Sequence, residues 1–432
     1  MALTTIHSRI KPAGTPRSQA TRYFIDALLA ALHCKLRAGR AAQGGDVNMP
    51  FYHRLGDLPR KRHSAFRRAD GALYPEELLG SRGFSGPSSL LYHLEAPTGV
   101  LESRPLRDLA RVADPNPALR HRHFRTGTLA AAASPVLDRT LLLYNADVAV
   151  SVVRPQATDD FFYRNAQADE VVFVSDGSGV LESPQGELPF GAGDYLVIPR
   201  GILHRYRLSA EPCRFLVLET ADSVRTPARY RNEHGQLLET SPFSERDIRR
   251  PETLMTVDER GRFRVVVKRD DRLTELVVER HPFDVVGWDG FYYPWALNIA
   301  DFEPRVGRFH LPPPVHQTFE AAGIVVCSFC PRPFDFDPQA VPAPYNHSNV
   351  MSDEVLYYAS AEFMSRKGIE YGSVTLHPHG LPHGPHPGKA EESIGATRTD
   401  ELAVMLDTFR PLHVAADALA IEDGSYLQSW LA

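Results

Sequence analysis

Three side chains in the C-terminal part of the chain could hold a metal: His347, Glu354 and His383. They lie in a stretch that carries five of the 18 histidines, His347, His377, His379, His383 and His386. Its first half, His347-Ser-Asn-Val-Met-Ser-Asp-Glu354, runs straight into the apolar segment Val355-Leu-Tyr-Tyr358. Its second half is Gly372-Ser-Val-Thr-Leu-His377-Pro-His-Gly380-Leu-Pro-His383. Two imidazoles and one carboxylate brought together leave coordination positions open, the facial arrangement of non-haem Fe(II) oxygenases. Asp353 competes with Glu354 for the carboxylate role. Side chains alternate across a strand, so the two point to opposite faces.

An earlier segment repeats the pattern. Residues 163–174 read YRNAQADEVVFV and residues 347–358 read HSNVMSDEVLYY, so that Asp169-Glu170-Val171 matches Asp353-Glu354-Val355. Downstream, Gly193, Pro199, Gly201 and His204 match Gly372, Pro378, Gly380 and His383 at one common offset. Two blocks repeating in order mark an internal duplication, and the match favours Glu354 over Asp353. The pattern resembles the cupin superfamily, whose two motifs carry His-x-His-x(3–4)-Glu and a later Pro-x-Gly-x-x-His. The C-terminal copy keeps His347, Glu354 and His383, with Asn349 in place of the second histidine. The N-terminal copy has Tyr163 and Asn165 where histidines would stand and keeps only Glu170 and His204. It is expected to be a scaffold without a metal.

The elements that must position these residues read as short strands. The 432-residue chain has 43% apolar and 23% charged residues, with 35 prolines and 30 glycines, which suits strands joined by turns. A net charge of −5 gives no reason to expect a nucleic acid or an anionic membrane surface as partner. Nor does any apolar run reach the roughly 20 residues of a membrane span. Four scattered cysteines make no disulfide framework, so a reducing cytoplasm is the expected location. Cys327 and Cys330 have zinc-like spacing without a second pair and are expected to be buried free thiols. Residues 1–48 carry seven Lys/Arg and two acids and read as a poorly ordered basic extension upstream of Met49. Segments 263–269 and 273–278 read as two strands around Asp270-Asp271. Ser244–Arg250 reads as a short helix. Glu401–Arg410, with Leu402, Met405, Leu406 and Phe409, reads as an amphipathic helix. His121 and His123 read as a basic-loop pair without a partnering carboxylate, and Trp288 and Trp295 as a packed domain junction.

Phe283-Asp-Val-Val-Gly-Trp-Asp-Gly290, Pro312-Pro-Pro-Val-His-Gln-Thr-Phe-Glu320, Pro344-Tyr-Asn-His347, Ser373-x-x-Leu-His377 and Pro382-His-Gly-Pro385 are similar to the homogentisate 1,2-dioxygenase family, its bacterial branch above all. The resemblance covers roughly residues 49–415. It implies a mainly β, bicupin-like fold of two double-stranded β-helix (jelly-roll) modules with few short helices. Residues 49–280 would form an N-terminal β domain with the metal-free copy, and 281–432 a C-terminal cupin domain with the iron site. It implies Fe(II) on His347, Glu354 and His383, with His377 steadying a ligand, and a homo-oligomer, trimer or hexamer. The catalytic base would be His310, with His316 in reserve. Tyr345 and Phe363 would lie near substrate, Phe363 standing where the family usually has Tyr. The usual His-x(5)-Glu is His-x(6)-Glu here. The implied reaction takes homogentisate and O2 to maleylacetoacetate. The alternatives are a related bicupin dioxygenase for another hydroquinone such as gentisate, or a non-catalytic bicupin that binds a small molecule.

Overall fold

The computed structural model describes residues 51–431 apart from 84, 210, 211, 361 and 362; the basic extension 1–48 therefore lies outside the described residues. Strands dominate. One α-helix, Lys389–Ser393, and several single 3₁₀ turns complete the regular structure among the described residues. The chain is a bicupin, and three large sheets carry it.

The central sheet has eight strands in the order Ile248–Arg249, Trp295–Asn298, Asp194–Ile198, Asp169–Asp176, Arg214–Thr220, Val148–Val153, Thr140–Tyr144 and His413–Val414. Its strand Asp169–Asp176 is buried on both faces, and the period of two sorts its side chains between two cores. Val172 and Val174 enter the N-terminal barrel with Leu181, Leu188, Tyr206 and Val266. Val171 and Phe173 face the C-terminal module. There the rings of Phe173 and Tyr357 lie 6.1 Å apart, and Tyr195 and Phe319 meet edge to face at 5.2 Å. Fully burying each such aliphatic or aromatic side chain contributes about 1.5–3 kcal/mol. This double burial explains why the segment is almost continuously apolar rather than alternating.

The N-terminal barrel is closed by a seven-stranded sheet that ends in the hairpin Arg260–Arg269/Arg272–Arg280 and the strand Val100–Asp108. Asp270 and Asp271 both take positive φ, 52° and 53°, in the two-residue turn expected at that point. The C-terminal module is a six-stranded sheet in the order Gln317–Ala321, Ile324–Phe329, Ala403–Thr408, Asp353–Tyr358, Ser373–His377 and Arg122–Arg125.

The structure corrects four expectations. Residues 403–408 form a strand, not a helix: the apolar spacing of Leu402, Met405, Leu406 and Phe409 fits both periods, and pairing with 324–329 and 353–358 on either side decides for strand. Residues 244–250 hold a turn and the two-residue strand Ile248–Arg249. His123 lies on a buried strand paired with Thr375, not in an exposed loop. The sheets also do not divide at residue 280. Trp295–Asn298 pairs with Asp194–Ile198, and Arg122–Arg125 forms the edge of the C-terminal sheet. Trp288 and Trp295 are buried where these connections meet, and Cys327 and Cys330 are buried free thiols.

Candidate metal centre and its cavity

Glu354 stands on the strand Asp353–Tyr358 with Leu356 and Tyr358 on its face, while Val355 and Tyr357 point into the inter-module core. Asp353 is on the other parity and is committed elsewhere. Its two oxygens accept from the backbone N–H of His379 at 2.9 Å and of Leu412 at 2.7 Å. Asp169 does the same in the first copy, accepting from Arg200 and Val224 at 2.9 and 3.0 Å. The aspartate of each Asp-Glu pair ties down loops, and the glutamate enters the barrel.

His347 and His383 are held side by side by a backbone bridge, His347 N–H to His383 O at 2.8 Å and the reverse at 2.9 Å. The corresponding pair in the first copy, Tyr163 and His204, is also in register. In the C-terminal copy Glu354 lies 3.7 Å from His347 Nε2 and 3.4 Å from His383 Nε2. The three ligand atoms all fall within 4.8 Å of one another. His347 Nδ1 donates to Tyr345 O at 3.2 Å, which leaves Nε2 as the free donor atom. Both ring nitrogens of His383 are buried without a hydrogen-bond partner. A buried imidazole left so is costly unless something takes its lone pair, and this donor set fits a divalent metal.

Electrostatics point the same way. Burial pushes the Glu354 carboxyl up, yet His347, His377 and His383 together outweigh it and hold it well below the usual carboxylate range. His377 is driven down to about 3, by burial first, against the opposing pull of Glu354. It is thus neutral, with Nδ1–H donating to Glu354 Oε1 at 2.8 Å and Nε2 accepting from Tyr426 O–H at 3.3 Å.

Several neighbours were not read from the sequence as part of the site. His121 packs 5.5 and 6.1 Å from the rings of His377 and His383, and Trp430 lies 4.9 Å from His121. Tyr426 and Trp430 come from the C-terminal tail. Asp407 sits across the sheet from Glu354, as Glu219 sits across from Glu170. Its carboxyl is raised to about 7, by burial and by the charge of Glu354. The repeat itself contained the signal: Leu218-Glu219-Thr220 parallels Leu406-Asp407-Thr408.

A cavity of about 360 Å³ opens onto Glu354 and His347, within the size range of small-molecule sites. His310, His316, Tyr345 and Phe363 all line it. His310 is exposed, its ring 5.3 Å from Tyr345. His316 is buried, with Nδ1 unpartnered and its ring 4.8 Å from Phe329. Burial first, then the charges of Arg332 and His310, bring His316 down to about 3. Phe363 packs edge-on against Tyr358 at 4.8 Å.

Fold and site together define a bicupin with one metal-competent His–Glu–His centre among the described residues. A family profile described as homogentisate 1,2-dioxygenase N-terminal matches residues 128–299. A chain named "putative dioxygenase" from Saccharolobus solfataricus is 41% identical, over 88% of this chain and 99% of its own length. A homogentisate 1,2-dioxygenase from Bradyrhizobium diazoefficiens is 25% identical, over 87% of this chain and 90% of its own. Among solved structures, a cupin 2 conserved barrel domain protein from Leptotrichia buccalis aligns with 70% of this chain and all of its own at a TM-score of 0.32 and 9% identity. The chain belongs to the family of that Saccharolobus solfataricus chain and is homogentisate 1,2-dioxygenase-like. No helix among the described residues is long and apolar enough to cross a membrane.

Proposed function

We propose that this chain is an Fe(II)-dependent ring-cleaving dioxygenase that converts homogentisate and O2 to maleylacetoacetate. The observation that carries the reading is His383, buried beside Glu354 and His347 with neither ring nitrogen hydrogen-bonded, next to a cavity of small-molecule size that Glu354 and His347 line. Fe(II) held by His347, Glu354 and His383 would supply Lewis acidity toward a ring hydroxyl and the redox partner that O2 requires. The ring bond between the carbon bearing the acetate arm and the adjacent hydroxyl carbon breaks, and both oxygen atoms of O2 enter the product.

The chain's own residues do the rest. His377 donates its Nδ1 proton to Glu354 and so keeps that carboxylate oriented. His310, at the cavity wall, accepts the phenolic proton on a ring nitrogen. His316 is the poorer base, because burial and Arg332 hold it neutral far below working pH. Tyr345 and Phe363 border the substrate's path. A homo-oligomer, trimer or hexamer, belongs to the same proposal.

Iron analysis and oxygen uptake test it together. About one iron per chain and O2 consumption with homogentisate, but not gentisate, are expected. Uptake with gentisate alone would move the chain to the gentisate-type alternative, and metal-free inert protein would make it a binding bicupin. His310→Ala should keep its iron and lose turnover roughly 10²–10⁴-fold. Normal turnover in that variant, with His316→Ala inactive, would transfer the base to His316.

A further inference from the structure

Arg332 stands on the two-residue strand Arg332–Pro333 and lines the same cavity as Glu354 and His347. It is half-buried, and it makes no ion pair with a carboxylate among the described residues. Its hydrogen bond is from Nη1 to Cys330 O at 3.2 Å, and the guanidinium sits 5.9 Å from the ring centre of Phe329. Two other guanidiniums shielded from solvent are paired with acids. Arg139 is held by Glu170 and Glu219, and Arg122 by Asp114 and Glu422. The acids whose charge reaches Arg332, Glu401 and Asp335, make no ion pair with it, and Glu401 accepts from Met364 N–H at 2.5 Å instead. Arg366, the other buried guanidinium in this wall, is bound to the carbonyls of Gly384 and Ser365 and lies over Trp430.

A guanidinium has five N–H donors in a planar fork that matches a carboxylate. Arg332 spends one of them on Cys330 O, so most of its fork is free for a partner in the cavity it lines. Burial lowers the affinity of Arg332 for its proton. The unpartnered Nδ1 of buried His316 lies in the same cavity, and its ring shares Phe329 with Arg332.

We propose that Arg332, with His316 beside it, is the anion subsite of this cavity and takes the carboxylate of an aromatic acid. The inference rests on reading the cavity as the substrate site. One unpaired fork suits one carboxylate, and a cavity of about 360 Å³ is of small-molecule size.

Anaerobic calorimetry on the iron-loaded enzyme tests it without turnover, using 2,5-dihydroxyphenylacetate and its methyl ester. Wild type should bind the acid roughly 10–100-fold more tightly than the ester, as expected for hydrogen bonds to a charged group. Arg332→Met should bind the two equally, with ester affinity and iron content unchanged. Arg332→Lys should retain part of the preference, and it carries the test if the Met variant does not fold. A preserved acid preference in either Arg332→Met or Arg332→Gln, or no preference in wild type, overturns the subsite. Acid binding through Arg332 without any O2 uptake would sink the ring-cleavage reading and leave the subsite standing.

Discussion

In the first cupin copy, Glu170 accepts from both terminal nitrogens of Arg139 at 2.8 and 2.9 Å and from Asn165 Nδ2 at 2.9 Å. In the second copy Glu354 occupies the equivalent place and faces three imidazoles instead. Both carboxylates are buried, and burial raises both before their partners pull them down. The partners differ in kind. A guanidinium is a permanent cation that fills its position, and Lys268 adds a second on Glu219 at 2.6 Å. Imidazole nitrogens can instead offer lone pairs to an exchangeable cation. The position of His347 is taken by Tyr163, whose ring packs on His204 at 5.4 Å. The scaffold is the same, and one copy has had its cation built in covalently.

The sharpest way to break this comparison is to remove one histidine from each copy. His383→Ala should lose iron and activity together, below detection by metal analysis and oxygen electrode. His204→Ala should leave about one iron per chain. Two metals per chain in the parent protein would show that Arg139 does not close the first site.

Arg139→Met leaves Glu170 without its guanidinium in a buried setting, so urea unfolding should report a loss of about 3–5 kcal/mol. Iron content should not change. A fully stable variant would mean that Arg139 is incidental to the first copy.

A smaller effect separates the two acids of each Asp-Glu pair. Asp353→Ala orphans two backbone N–H groups and should cost about 1–3 kcal/mol while iron is retained. Glu354→Gln should lose the metal with little change in stability of the metal-free protein. The reverse outcome would reassign the ligand to Asp353.

The smallest effect is in acid. Because Glu170 is depressed when folded, its contribution is complete above the ordinary glutamate range and is lost as pH falls below it. Glu170→Gln should therefore show a stability profile less steep by up to about 1.4 kcal/mol per pH unit below about pH 4.5. Parallel profiles for the two proteins would place the acid sensitivity elsewhere.

The repeat, the parity of Asp353 and Glu354, and the alignment of His204 with His383 are all readable along the chain. They depend on local spacing, since a strand alternates its faces and a Pro-x-Gly turn sets the next histidine. Strand 403–408 was not readable. Buried on nearly every residue, it shows no alternation, and its apolar spacing mimics a helix until two neighbouring strands pair with it. With the strand went Asp407. His121, Tyr426 and Trp430 belong to the same class. They are distant in sequence, the pairing of His121 with His123 does not point to this site, and packing alone brings them against His377 and His383. Likewise, nothing local says that Arg139 will meet Glu170, or that Arg332 will make no ion pair among the described residues. Chain spacing determines which side chains share a face of one element. Which cation neutralises a buried carboxylate, and which guanidinium is left facing a cavity, depends on charges brought together from remote segments, and only the tertiary structure decides that.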